Sequence, residues 1–301
     1  MIPILITILS IIIMISIGYF LKQVNFLSKD AVEPLNKIAL YILLPCLIFS
    51  TLTTADLSIL NKLGILPFII LFSSIITGAI SYLILKYFSL DDKNLWSVLI
   101  PLIIPNTGFM GYPIILGIYD MEGLLRAIFC DMNSSLSFLI ISIIMILKFG
   151  GSIKTTIRKI ALFPILWAII LGLIFNILNI PLNPVIGNTI DYLSQGTVPV
   201  IMLALGLSID FSALSGHKTL ILFISIMKLL LFPFVTLILA SKIGLTGLEF
   251  DVSIIEAAMP SAMISLLLAF NHDLNYELTS DCIFISTVIS LFTLPIVIML
   301  L

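Results

Sequence analysis

Charged residues are scarce in this sequence. Lys, Arg, Asp and Glu make up 10% of the 301 residues, whereas 60% are hydrophobic and the mean hydropathy is +1.28. Soluble domains carry roughly 25% charged residues, so too few are present here to make a polar surface. The composition excludes a soluble globular domain and predicts an all-α polytopic membrane protein.

Residues that bind metals or form disulfides are scarcer still. The three cysteines, Cys46, Cys130 and Cys282, lie inside apolar runs, and their spacing fits neither a disulfide framework nor a zinc site. The two histidines lie far apart in the sequence. The net charge is −2 and there is no basic tail, so nucleic acid is not an expected partner. We therefore predict neither an enzyme nor a bound metal or cofactor, with coupling to H⁺ or Na⁺ left open.

Long apolar segments dominate what is present. A membrane span needs about 20 apolar residues, and short polar loops divide the chain into ten such segments. The predicted spans are 2–21, 32–53, 65–87, 95–119, 123–147, 160–178, 186–207, 219–241, 249–270 and 277–301. The first is read as a retained span because it lacks the basic region and cleavage site of a signal peptide.

Basic residues in the loops predict the orientation. With the N-terminus outside, the inward loops hold nine Lys and Arg residues and the outward loops hold two. Cytoplasmic loops carry the excess of positive charge, so both termini are expected outside a multi-pass cell-membrane protein. The longest basic stretch, 148–159, becomes a cytoplasmic linker.

Prolines recur at matching places in the two halves of the chain. Pro45 and Pro105 correspond to Pro199 and Pro260 at offsets of 154 and 155 residues. Two five-span repeats, 1–147 and 160–301, therefore flank the linker. Because five is odd, the second repeat enters from the opposite side, as in alternating-access transporters. Proline is common in membrane helices, so one match alone would mean little.

The predicted fourth and ninth spans are interrupted near their middle. Pro105 lies about 15 Å from the start of its span and Pro260 about 16 Å from the start of its own, at 1.5 Å per residue. Each break creates a half-helix N-terminus with free N–H groups. We predict that Asn106 and Ser261 cap these ends. Two simple proline kinks are the alternative, but a kink does not need the Asn-Thr-Gly that follows Pro105.

Two half-helix ends at mid-depth suit an anion. The predicted substrate-binding residues share a polar or small side chain near the breaks: Asn106, Thr107, Gly108, Asn133 and Ser261.

Four ionisable side chains inside the predicted fifth, eighth, ninth and tenth spans are candidates for a role there: Asp131, Lys228, Glu256 and Asp281. Lys228 and Glu256 are candidates for an ion pair or for ion coupling, and a charge at mid-span costs about 2.5–3.5 kcal/mol. Asp131 is expected to bind a coupling cation, to face the substrate, or to hydrogen-bond a neighbour. Asp281 is expected to snorkel to the interface, and Arg126 is expected to be interfacial.

Several segments resemble one known family. They are PNTGFMGYP at 105–113, the second-span segment 36–52, the seventh-span segment 197–207, KLLLFP at 228–233, MPSA at 259–262, and the last-span segment 286–295. In this order they resemble the auxin efflux carrier family, which includes bacterial malate and malonate permeases and the plant PIN-formed carriers. The resemblance covers essentially the whole chain. Many plant relatives have a long hydrophilic linker, whereas the linker here is about a dozen residues.

The resemblance implies a fold related to sodium–bile-acid symporters and sodium/proton antiporters. Spans 1, 2, 6 and 7 would form a scaffold domain, and spans 3–5 and 8–10 a transport domain with crossed helices 4 and 9. The implied function is a secondary transporter of small organic anions such as malate, surrounded by membrane lipid, with a homodimer left open. The alternatives are a sodium-coupled bile-acid-like symporter and a passive channel. An intramembrane aspartyl protease using Asp120 and Asp210 is disfavoured, because both residues lie at the ends of predicted spans and on opposite sides of the membrane.

Overall fold

The structure, a computed structural model, describes residues 2–209 and 217–301. Over this part of the chain it is all-helical, and its one isolated β-bridge belongs to no strand. The α-helices are α1 Ile2–Gln23, α2 Val32–Ile38, α3 Leu44–Thr54, α4 Leu60–Leu63, α5 Leu66–Leu85, α6 Asp92–Ile103, α7 Tyr112–Phe149, α8 Ile153–Ala161, α9 Pro164–Ile177, α10 Pro184–Gln195, α11 Thr197–Ser208, α12 Lys218–Ile226, α13 Phe232–Ile243, α14 Leu248–Ala257, α15 Ile264–Asn271 and α16 Tyr276–Leu300. Asp210, considered above for a protease, lies outside the described residues.

Seven helical stretches of the described chain are long and apolar enough to cross a membrane, or eight if a bent pair counts as one span. The prediction of an all-α polytopic membrane protein is therefore confirmed. Helices α6, α14 and α15 have 12, 10 and 8 residues, short of the roughly 20 that one crossing needs. The predicted fourth and ninth spans are not among the seven as whole segments, because their halves are separate helices.

The linker and the predicted sixth span differ from the sequence prediction. The linker contains helix α8, and the helix that follows begins at Pro164 rather than at residue 160. The two helices are bent by 50° at the intervening break. Pro164 cannot donate a backbone hydrogen bond to the preceding turn, and Phe163 before it is extended (ψ 120°), as residues before proline prefer.

Helix α7 holds the second half of the broken fourth span together with the fifth. Asp120 has φ 51° and ψ −154°, so two helices meet there. The position agrees with the predicted boundary between residues 119 and 123. It also leaves the first helical piece, 112–119, only about 12 Å long at 1.5 Å per residue.

Three wide π-helical turns precede prolines. They span Ala39–Leu43, Thr107–Gly111 and Met227–Leu231, and the second residue after each is Pro45, Pro113 or Pro233. Proline lacks an N–H and its ring clashes with the carbonyl one turn earlier. A wider turn moves that carbonyl away while the helix continues.

The described residues divide into two compact units. The first comprises 2–58, 116–125 and 158–209. Its helices α1 and α11 approach so closely that a Cβ on Gly206 would lie 2.7 Å from the Tyr19 backbone nitrogen. Small residues allow this approach between membrane helices. At the end of α3, Asn176 Nδ2 donates to the carbonyls of Leu52 (2.7 Å) and Ala55 (2.8 Å), which satisfies acceptors that a helix end leaves free.

The second unit comprises 59–115, 126–157 and 217–301. Helices α5, α6, α12, α13, α14 and α16 pack around its core. The buried cluster at one end is formed by Leu85, Leu95, Val98, Leu99, Leu102, Leu220, Ile221, Ile224, Leu278 and Cys282. Both helix breaks and the polar residues predicted around them belong to this second unit.

Candidate functional site

The two helix breaks meet through their backbones. The Asn106 N–H donates to the Pro260 carbonyl over 2.8 Å, and the Ala262 N–H donates to the Ile104 carbonyl over 3.0 Å. Pro105 and Ser261 form an antiparallel bridge between these bonds. Ile104 is extended (φ −97°, ψ 111°), as expected before proline. The pairing satisfies backbone groups that lipid leaves without a partner.

The predicted caps do not form as proposed. Asn106 occupies the N-cap position of the Thr107–Gly111 turn, but its side chain makes no capping hydrogen bond. Helix α15 begins at Ile264, three residues beyond Ser261, so Ser261 is not its cap. The interruption is longer than one residue because the backbone between Ala257 and Ile264 pairs with the other break.

Ser261 instead uses its backbone. Its N–H donates to Ser286 Oγ over 3.2 Å, whereas its own fully buried Oγ has no partner among the described residues. Asn106 is also buried, with 6% of its surface exposed. The paired breaks therefore hold a buried hydroxyl, that of Ser261, with no partner among the described residues, and a buried Asn106 side chain that does not cap the helix.

Asp131 is the acceptor at the centre of a polar cluster in α7. Its carboxylate accepts from Tyr112 Oη over 2.9 Å, from Ser134 Oγ over 2.8 Å, and from Thr107 Oγ1. A Cβ on Gly108 would lie 3.8 Å from Asp131 Oδ2. A carboxylate therefore lies beside the start of the second half of the broken span, which offsets the positive polarity of that helix end.

Asn133 lies two residues further along α7 and is fully buried. Its Oδ1 accepts from Ser137 Oγ over 2.9 Å, and its Nδ2 has no partner among the described residues. Burial of an amide donor without a partner is costly, so a ligand acceptor or a water there would be favourable.

Glu256 lies at the end of α14 against the π turn of the other break. It is fully buried and neither carboxylate oxygen has a hydrogen-bond partner in the described part of the chain. A Cβ on Gly111 would overlap this carboxylate, with its Cδ only 2.7 Å away. Only glycine allows Glu256 to lie there.

Lys228 is not paired with Glu256. It lies in the Met227–Leu231 turn and is fully buried, and its Nζ has no hydrogen-bond partner among the residues described. The Nζ lies 4.0 Å from the centroid of the Phe232 ring, a cation–π geometry. The ion pair considered from the sequence is therefore not formed in this conformation.

Two other charged residues are more buried than predicted. Arg126 was expected at the interface, but only 8% of it is exposed, and it binds Glu249 through Nη2 at 2.9 Å and Nε at 3.1 Å. Asp281 was expected to snorkel, yet it is 7% exposed. Packing of neighbouring helices covers both positions.

Two polar features of the structure are not among the sequence predictions, although the sequence carries signals for them: the Arg126–Glu249 pair and a row of hydroxyls on α5. Arg126 and Glu249 have opposite charges at the same predicted membrane face, which would have suggested a pair. Helix α5 carries fully buried hydroxyls at helical spacing: Ser73, Ser74, Thr77 and Ser81. None has a hydrogen-bond partner among the described residues, and α5 packs against the turn that holds Lys228.

No group of three or more His, Cys, Asp or Glu side chains within 2–209 and 217–301 is arranged to hold a metal ion. The polar groups at the breaks are hydroxyls, amides and isolated carboxyls. Such a set can bind and release a small polar solute or a light cation through hydrogen bonds and charge.

These features define a polytopic helical membrane protein whose interrupted helices meet at a buried polar site. The chain belongs to the membrane transport protein family, whose model matches residues 3–156 and again residues 151–298. The resemblance to auxin efflux carriers is thereby confirmed, and the chain is a membrane transporter of this family.

Two archaeal relatives match nearly the full chain. An uncharacterized transporter of Methanothermobacter thermautotrophicus is 36% identical over 289 residues, covering 96% of this chain and 95% of the relative. An uncharacterized transporter of Methanocaldococcus jannaschii is 35% identical over 291 residues, covering 94% of each. Both names describe a transporter, and neither states a substrate.

Proposed function

We propose that this protein is a secondary transporter that moves small organic anions, such as malate or other carboxylates, by elevator-like alternating access. The observation that carries the proposal is the backbone pairing of the two breaks at Pro105 and Ser261. Paired interrupted helices are a recurring way to build a transporter site near mid-membrane. The substrate would contact Asn106, Thr107, Gly108, Asn133 and Ser261.

We infer ten spans arranged as two inverted five-span repeats. Two matches of one family model to successive halves of the chain support the repeat. The sequence offset supports it as well: at 155 residues Asn106 aligns with Ser261, and Asp131 aligns with Ser286. The two aligned pairs make similar contacts. In the first half, Thr107 at the break donates to Asp131 of α7, and in the second half, the Ser261 N–H at the break donates to Ser286 of α16.

We infer a scaffold domain of spans 1, 2, 6 and 7 and a transport domain of spans 3–5 and 8–10. The division into compact units supports it. Spans 1, 2, 6 and 7 fall in the first unit, and most residues of spans 3–5 and 8–10 fall in the second. The basic loops support an orientation in the cell membrane with both termini outside.

Charge at the site bears on coupling. Asp131 and Glu256 both lie near the breaks, and carboxylates repel an anionic substrate unless a proton or cation accompanies it. We therefore infer that the anion is carried with H⁺ or Na⁺. A sodium-coupled bile-acid-like symporter is the second candidate, and the same two carboxyl groups favour it.

The direct test uses the purified protein in proteoliposomes with labelled malate, malonate, a bile acid and an uncharged control solute. We expect saturable carboxylate uptake that exceeds the control and is driven by a pH or sodium gradient. Bile acid in place of the small carboxylates would favour the second candidate. Non-saturable flux of all solutes without counterflow would indicate a channel and overturn the proposal.

The coupling residue is tested by Asp131→Asn and Glu256→Gln, with Glu277→Gln as the matched control because Glu277 is exposed. We expect the coupling variant to lose gradient-driven accumulation but to keep counterflow exchange, because exchange needs no net ion movement. If both variants respond to pH and sodium as the wild type does, neither carboxyl couples transport to an ion.

A further inference from the structure

An apolar groove lies in the first compact unit. Its lining includes Pro45, Phe49, Leu162, Pro164, Trp167 and Leu171, and its volume is about 540 Å³. Its lining surface is almost entirely apolar. Phe49 is held against Phe175 by an edge-to-face contact at 5.4 Å, so this wall of the groove is fixed.

The groove ends beside a basic helix. Its lining residue Leu162 follows the last turn of α8, and the Leu162 N–H donates to the Arg158 carbonyl over 3.0 Å. Residues four apart lie on the same helix face, so the exposed Arg158 is one turn beyond the groove. Trp167 Nε1 donates to the Ala161 carbonyl over 2.7 Å, which ties the groove wall to this turn.

This order of chemistry matches one kind of molecule. Tryptophan and arginine mark the level of lipid headgroups, and an arginine guanidinium binds phosphate oxygens well. From Pro164 to Leu171 the groove follows the helix for about 10 Å into the apolar zone. A phospholipid joins an anionic headgroup to acyl chains in this same order.

We propose that this groove is a specific binding site for an anionic phospholipid. Its phosphate binds Arg158 and one acyl chain fills the groove along Pro164, Trp167 and Leu171. The exposed neighbour Lys159 adds positive charge at the headgroup level. The groove residues lie on the proposed scaffold spans, and none of them belongs to the helix breaks.

The test is native mass spectrometry of the full-length protein extracted from vesicles of equal phosphatidylglycerol and phosphatidylcholine. We expect phosphatidylglycerol to be retained about fivefold more than phosphatidylcholine, as one basic contact to an anionic lipid implies. Arg158→Gln should lower the ratio toward one, with Lys159 supplying the remaining preference, and Leu171→Trp should reduce retention of both lipids by filling the groove. Lys242→Gln, an exposed lysine elsewhere, should leave the ratio unchanged.

Three outcomes would overturn the proposal. The first is equal retention of the two lipids by the wild type. The second is an unchanged ratio in Arg158→Gln, since the charge would then not select the lipid. The third is a lipid-free dimer that Leu171→Trp dissociates, because the groove would then be an interface between two copies of the chain.

Discussion

The Asn106 N–H and the Pro260 carbonyl, 2.8 Å apart, join two helix breaks that are 154 residues apart in the sequence. The reciprocal bond from Ala262 to Ile104 makes this a short antiparallel pair. With the backbones satisfied by each other, the side chains of Asn106 and Ser261 remain available to a ligand.

Alanine at Ser261 is expected to weaken substrate binding without affecting folding. The Ser261 Oγ has no partner among the described residues, so its removal breaks no hydrogen bond there and should not destabilise the protein. Loss of a hydrogen bond to a charged substrate group, about 1.5–3 kcal/mol, should raise KM roughly tenfold or more. Asn106→Ala should act in the same direction.

Uptake kinetics and thermal unfolding of the same preparations check this prediction. Ser208→Ala is a suitable control, because that hydroxyl donates to the Leu205 carbonyl of its own helix, away from the breaks in the sequence. An unchanged KM in well-folded Asn106 and Ser261 variants would remove the breaks from the substrate site.

Gly111→Ala is expected to destabilise the protein by about 1–3 kcal/mol. The added methyl group would overlap the Glu256 carboxylate, which is fully buried. Shortening the partner in Gly111→Ala/Glu256→Ala should recover most of the loss, because the two changes share one contact. Gly187→Ala is the control, since its Cβ would only reach ordinary contact with Leu182 at 4.0 Å. Additive losses in thermal unfolding would contradict this contact.

Removal of one partner of the Arg126–Glu249 pair is expected to cost about 3–5 kcal/mol. The side chains are only 10% and 9% exposed, so Arg126→Met would leave the Glu249 carboxylate buried without its guanidinium partner. Arg126→Met/Glu249→Met should be more stable than either single variant. Lys93→Gln is the matched control, because its partner Asp273 is 98% exposed and surface pairs contribute about 0–1 kcal/mol. Equal small losses in all variants would indicate that the pair is solvated.

Lys228→Met is expected to raise thermal stability while lowering transport. The buried Nζ has no hydrogen-bond partner among the described residues and lies over the Phe232 ring, so a similar apolar side chain removes the cost of a buried unsatisfied donor, about 1–3 kcal/mol. Stability and activity often oppose each other at such positions. Lys242→Met on the surface is the control. A lower unfolding temperature for Lys228→Met would mean that the ammonium is satisfied in another way.

Local backbone chemistry made the breaks predictable. Pro105 removes a donor and forces Ile104 to be extended wherever the segment lies, so the interruption could be placed to within a residue or two. Neither the linker helix nor the later start at Pro164 is predicted, because a basic stretch between two apolar segments is typical of a loop.

The partners of the site residues were harder to predict. Thr107 and Asp131 are 24 residues apart, and Arg126 and Glu249 are 123 apart. The sequence singled out Asp131 and Glu256 as costly charges, but it also favoured an ion pair of Glu256 with Lys228 that does not form. Which charges pair depends on the rotation of each helix about its axis, and packing sets that rotation.

The sequence by itself determined the membrane class, the family, the repeat offset and the two proline breaks. These follow from hydropathy and from backbone geometry, which act over one helix turn or one span. Only the tertiary structure decided that the breaks pair through Asn106 and Pro260, that Gly111 makes room for Glu256, and that Arg126 is buried against Glu249. Those relations arise because burial forces polar groups on separate helices to satisfy one another or remain unpaired.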